Sequence, residues 1–260
     1  MTALRLDSIT EADAAARRRV LICGSHGGRI AGHLASAAGV RAAIFSDAGG
    51  GLHGAGFAGI RALEAVGMAA ATVAAASARI GDAQDMAARG VISAANRTAE
   101  ALGVAPGMTC AEAAARLDAA AGPEGVLPTL PETRRERRIG GRPVLLADSV
   151  SLVRREDRGR IVVTGSHGGL IGGDPKRGLA ADVAFAAFND AAIGIDGAGL
   201  SRLPTLEPPG IAAVAVSHAS ARIGEAESTL DGMITAANLP ARRRGFELGA
   251  RLRPALEALR

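Results

Sequence analysis

Two short polar words carry the residues best suited to chemistry, and each is written twice. Gly24-Ser25-His26-Gly27-Gly28 returns as Gly165-Ser166-His167-Gly168-Gly169. Ser77-Ala78-Arg79-Ile80-Gly81 returns as Ser220-Ala221-Arg222-Ile223-Gly224. Ser25 and Ser166 stand 141 residues apart, and Ser77 and Ser220 stand 143 apart. Glycines let the backbone approach a ligand closely and adopt positive φ. Successive N–H groups at a strand-to-helix turn form a concavity for anions. Serine adds a hydroxyl and histidine moves protons near neutral pH. Arginine clamps a carboxylate or phosphate. Asp47 and Asp190 head glycine-rich loops and can orient a histidine, act as a base or bind a metal.

Each of these residues also has a structural explanation. A Ser-His turn can be a helix cap, and an aspartate at a strand end can close an Asx-turn. Arg79 and Arg222 stand three residues before Asp82 and Glu225, a helical ion-pair spacing. Repetition of the polar words favours a site, because packing alone would preserve the apolar pattern instead.

The copies differ where chemistry would be concentrated. His53 corresponds to Asp196, Ala75 to His218, and Ser46 to Asn189. The second copy is therefore expected to be the chemical half. His167, Asp190, His218, Ser220, Ser166 and Asp196 are its candidate catalytic residues. Arg222, Arg79, Ser25, His26, Asp47, Ser77, Gly168, Gly169 and Asn189 are the candidate substrate-binding set. A metal-assisted variant would use His167, Asp190 and His218 as ligands.

Positioning these groups requires strands. Apolar runs at 20–23, 42–45 and 70–76 precede the polar words of the first copy, and runs at 161–164, 183–188 and 211–216 precede those of the second. Helices are expected over about 29–38, 55–66, 82–101 and 110–121, the last opened by the capping box Thr109-Cys110-Ala111-Glu112. Strand alternating with helix implies parallel pairing and right-handed crossovers. In an open parallel sheet the loops at the carboxyl ends of strands bind ligand. The expected fold class is α/β: two pseudo-symmetric parallel-sheet modules of three or four strands from an internal duplication. Repeat 1 is expected over 1–121 and repeat 2 over 142–260. A proline- and arginine-rich linker fills 122–141. Pro175, Pro204, Pro208 and Pro209 make the second repeat less regular.

Composition narrows the function classes. The 260 residues include 30 Lys+Arg against 26 Asp+Glu, and Lys176 is the only lysine. A net charge of +4 with neither Trp nor Tyr offers no stacking platform for nucleic acid. Cys23 and Cys110 are too few for a disulfide framework. No apolar stretch is long enough to span a membrane and no signal peptide is visible, so a cytoplasmic protein without membrane partners is expected. Homo-oligomerisation is left open.

Familiar signatures fail. Gly54-Ala55-Gly56-Phe57-Ala58-Gly59 spells a dinucleotide fingerprint but lies far from a strand end, and Arg202 breaks it in the second copy, so NADP is disfavoured. Neither Ser25 nor Ser166 stands in a nucleophile elbow. The layout of apolar run, His-Gly, apolar run and small residue resembles caspase-type peptidases. That resemblance implies a nucleophile near Ala48 or Ala191, where alanine cannot do the chemistry.

The expected function is an enzyme acting on a small carboxylate-bearing molecule. Hydrolysis of an amide, imide or ester is the favoured reaction, with His167 or His218 as base, Asp190 or Asp196 orienting it, and Arg222 and Arg79 on the carboxylate. Isomerase or lyase chemistry would use the same groups. A non-catalytic protein that binds an anionic metabolite or nucleotide is the rival from another class, and a scaffold subunit is a third. No cofactor is required by the sequence, and a divalent metal is compatible with it.

Overall fold

The computed structural model describes residues 3–259, which form two compact units. Of these residues, unit 1 comprises 3–50, 54–131 and 194–196; unit 2 comprises 51–53, 132–193 and 197–259. Both are α/β, each built on a mixed, mostly parallel sheet.

The sheet of unit 1 runs β1 (Leu4–Leu6), β2 (Val20–His26), β3 (Ala42–Ser46), β4 (Ala69–Val73) and β5 (Ile92–Ala95), in that order. The first four are parallel and β5 is antiparallel to β4. Alternation along β2 separates two cores. Leu21 and Cys23 pack with Ala31, Ala35, Ile60 and Leu63 from α1 (Arg29–Ala38) and α2 (Ala58–Glu64). Ile22 packs with Met86, Cys110, Ala113 and Leu117 from α3 (Ala83–Arg89) and α5 (Cys110–Leu117). The sheet is thus covered on both faces, which explains why its strands read as unbroken apolar runs. Small residues bring the helices close: a Cβ on Gly32 of α1 would lie 2.7 Å from Gly59 of α2. The capping box at Thr109 and Glu112 forms as the spacing predicts.

The helix expected over 82–101 is instead three elements: α3, β5 and α4 (Arg97–Glu100). Alanine content favours a helix here, but tertiary pairing prevails. Gly90 ends α3 with a backbone packed so tightly that a Cβ would meet Val73 Cγ1 at 2.9 Å. Ile92–Ala95 then pairs with β4.

The sheet of unit 2 runs β11 (Ile234–Ala237), β10 (Ala212–Val216), β9 (Phe185–Asn189), β8 (Ile161–His167), β7 (Arg142–Ala147) and β6 (Arg134–Ile139). β7 to β10 are parallel; β6 and β11 pair antiparallel at the two edges. The all-parallel, three- or four-stranded expectation is corrected to mixed sheets of five and six strands. Part of the expected linker is strand β6, whose outward arginines make it look like a solvated run. Arg134 reaches back to Asp157, which has no solvent exposure, at 2.6 Å. Helices α7 (Ala226–Leu230), α8 (Leu239–Arg243) and α9 (Leu252–Glu257) pack with β10 and β11 around Phe246 and Leu252. Prolines have the expected effect elsewhere. The connection from β8 to β9 contains only a 3₁₀ turn, Pro175–Arg177, and α6 (Arg202–Thr205) is a single turn.

Candidate active site

The repeated words turn out to be two sides of one backbone contact. The Gly81 N–H donates to Gly24 O at 2.8 Å, and Gly224 N–H donates to Gly165 O at 2.7 Å. A Cβ on Gly24 would lie 2.6 Å from Asp7 O and 2.7 Å from Gly81 C; one on Gly165 would lie 2.5 Å from Gly224 C and 2.6 Å from Asp148 O. Only glycine fits such an approach.

The serines are tied in the same way in both units. Ser25 Oγ accepts from Ile9 N–H at 3.0 Å, and Ser166 Oγ accepts from Val150 N–H at 2.8 Å. Ser77 Oγ donates to Ala74 O and accepts from Val91 N–H. Ser220 Oγ donates to Ser217 O and accepts from Met233 N–H. All four hydroxyls are thus engaged by the backbone. Asp47 Oδ1 accepts from Gly49 N–H and Ala75 N–H, closing the strand-end turn considered for it. His26 Nδ1 accepts from Gly28 N–H and His167 Nδ1 from Gly169 N–H, both at 3.1 Å. Each ring proton is therefore on Nε2. Burial pushes His26 down to about 4, so it is neutral at pH 7. Burial pushes the thiols of Cys23 and Cys110 up to about 12 and keeps them inert.

The candidate groups of unit 2 lie at the carboxyl edge of β8, β9 and β10. These strands are adjacent and parallel, so His167, Asn189-Asp190 and His218 follow one another along that edge. Asn189 is fully buried, accepting from Ala191 N–H and donating to Ala221 O. Asp190 Oδ1 accepts from Ala192 N–H and His218 N–H, and lies 3.0 Å from His218 Nδ1. Its Oδ2 accepts from Thr235 Oγ1 of β11 at 2.9 Å. Burial raises the Asp190 carboxyl, but these donors outweigh it and hold the group below the usual carboxylate range. An ionised Asp190 fixes the His218 proton on Nδ1 and leaves Nε2 as the basic nitrogen of a ring that is 29% exposed. In unit 1 Ala75 stands in the place of His218.

The remaining candidates are placed elsewhere. Arg222 forms the ion pair foreseen with Glu225, 2.7 Å, both side chains 45% exposed. Arg79 does not take Asp82; it pairs with Asp85 and with Asp196 at 2.9 Å. Asp196 also holds Arg89 at 2.7 Å, so its partners are arginines of unit 1 and not a histidine. Gly168 N–H donates to Asn189 O, and the nest expected of Gly168 and Gly169 is reduced to the turn that bonds His167. Among the described residues no group of three or more His, Cys, Asp or Glu is arranged to hold a metal. Also among them, no helix is long and apolar enough to cross a membrane.

Sequence reasoning missed Thr235 and Arg202. Thr235 lies on an antiparallel strand of the kind read as helix in the first copy. Arg202 was visible only as the letter that replaces Gly59, with no sign that it is buried. No family model, no curated protein and no solved structure matches the chain.

Proposed function

We propose that the chain is an enzyme whose chemistry resides in unit 2, with His218 as general base oriented by Asp190. The observation that carries this reading is the 3.0 Å contact of His218 Nδ1 with Asp190 Oδ1, at a carboxylate braced by Thr235. A half-buried histidine oriented by a buried carboxylate is the arrangement general-base catalysis needs. Because the four serines are tied to the backbone, the nucleophile in this reading is water. The reaction is hydrolysis of an amide, imide or ester in a small carboxylate-bearing molecule. Proton abstraction by an isomerase or lyase would use the same pair.

We also infer that the units descend from one duplicated module, repeat 1 over 1–121 and repeat 2 over 142–260. The support is that Ser25, Asp47, Ser77 and Gly24 make the same backbone ties as Ser166, Asp190, Ser220 and Gly165. On this view the repeated words persist for the shared scaffold, and His218 adds a base to an aspartate that both units have.

Hydrolysis of mono-p-nitrophenyl succinate tests the reading. His218→Gln and Asp190→Asn are each expected to lower kcat at least a hundredfold, the lower end of what a positioned base contributes (about 10²–10⁴). Ala75→His is expected to change nothing. Wild-type turnover that survives His218→Gln would sink the proposal.

A further inference from the structure

We propose that Arg202 receives the substrate's carboxylate, in place of the exposed Arg222. This rests on the preceding reading and names its anion subsite. Arg202 has no solvent exposure and is the largest fully buried side chain of the described residues. Its Nη2 donates to Gly169 O at 2.7 Å and its Nη1 to Gly178 O, while the guanidinium lies 5.1 Å from the centre of the Phe188 ring. Nε is buried and has no hydrogen-bond partner, and no carboxylate of the described residues pairs with the group.

Buried charges are ordinarily paired, because the desolvation of each ion costs several kcal/mol. Two carbonyl dipoles and a ring face offset only part of that. A carboxylate on the Nε side would complete the group. Nη2 has a second hydrogen, so it can serve Gly169 O and the anion together.

In unit 1 this position is Gly59, where a Cβ would lie 2.5 Å from Gly28 O, and helix α1 packs directly on it. In unit 2 no α-helix connects β8 to β9. A loop at 168–178 crosses there, with Gly172 and Gly173 at positive φ and Arg202 bonded to both its ends. A helix has been replaced by a loop pinned by a buried cation. That loop follows directly on His167, and Gly169, two residues on, accepts from Arg202.

The test is thermal stabilisation by disodium succinate, at ionic strength held constant with sodium chloride. Wild type, His218→Gln and Arg222→Ala are expected to give the same apparent Kd within twofold. Arg202→Met and Arg202→Lys should weaken it tenfold or more, since neither replacement has an Nε. Succinate should also slow amide exchange over 169–178 in the wild type at least threefold, which serves if the variants do not fold. Unchanged affinity in Arg202→Met, or no succinate effect on wild-type stability and exchange, would overturn the inference. Loss of binding in Arg202→Met alongside full turnover in His218→Gln would instead keep the anion subsite and reject the base.

Discussion

His26 and His167 sit in the repeated motif, whereas His218, the proposed base, lies outside it. Both motif histidines accept a backbone N–H two residues on, which keeps Nδ1 unprotonated. His218 faces a carboxylate instead. The His26 arrangement has a pH signature. Its folded pKa, about 4, lies below the unfolded value near 6.5, so the unfolded chain binds more protons between them. Stability from this residue is present above pH 6.5 and is lost as pH falls toward 4. In thermal melts from pH 7 to pH 4, His26→Gln should therefore lose less Tm than wild type. Parallel curves would show that His26 does not contribute this dependence.

At the scale of elements, the parallel core was legible because buried strands must be apolar and must end where polar loops begin. The runs at 20–23 and 161–164 became β2 and β8, and α1 fell where its spacing placed it. Edge elements were not legible. β5 is alanine-rich and β6 is arginine-rich, and both are strands only because a neighbour offers a ladder. The site was half legible for the same reason: Asp190 and His218 follow core strands, whereas Thr235 lies on an edge strand. The loop after β9 stores strain that no periodicity shows. Ala191, Ala192 and Ile193 have φ of 46°, 63° and 63° in succession, and Ile193 is 43% exposed. A left-handed non-glycine residue costs roughly 1–2 kcal/mol, more than the loss of backbone entropy at glycine, about 0.5–1 kcal/mol. Ile193→Gly should raise Tm slightly, by up to about 1 kcal/mol in stability. If that loop positions Asp190, kcat falls in the same variant. A clear drop in Tm would mean that the conformation is not strained.

At the scale of the whole molecule, two units share a scaffold of glycine contacts and serine ties, and only one has a histidine on its strand-end aspartate. Unit 2 adds His218 to that framework, where unit 1 has Ala75. A base and its orienting carboxylate lose activity together, so the proposed pair of His218 and Asp190 should behave as one device. A double-mutant cycle on hydrolysis of mono-p-nitrophenyl succinate measures this directly, with Tm recorded for every variant. His218→Gln combined with Asp190→Asn is expected to be no slower than the worse single variant, with all proteins folded at 25 °C. Losses that multiply, or singles that retain wild-type rates, would contradict it.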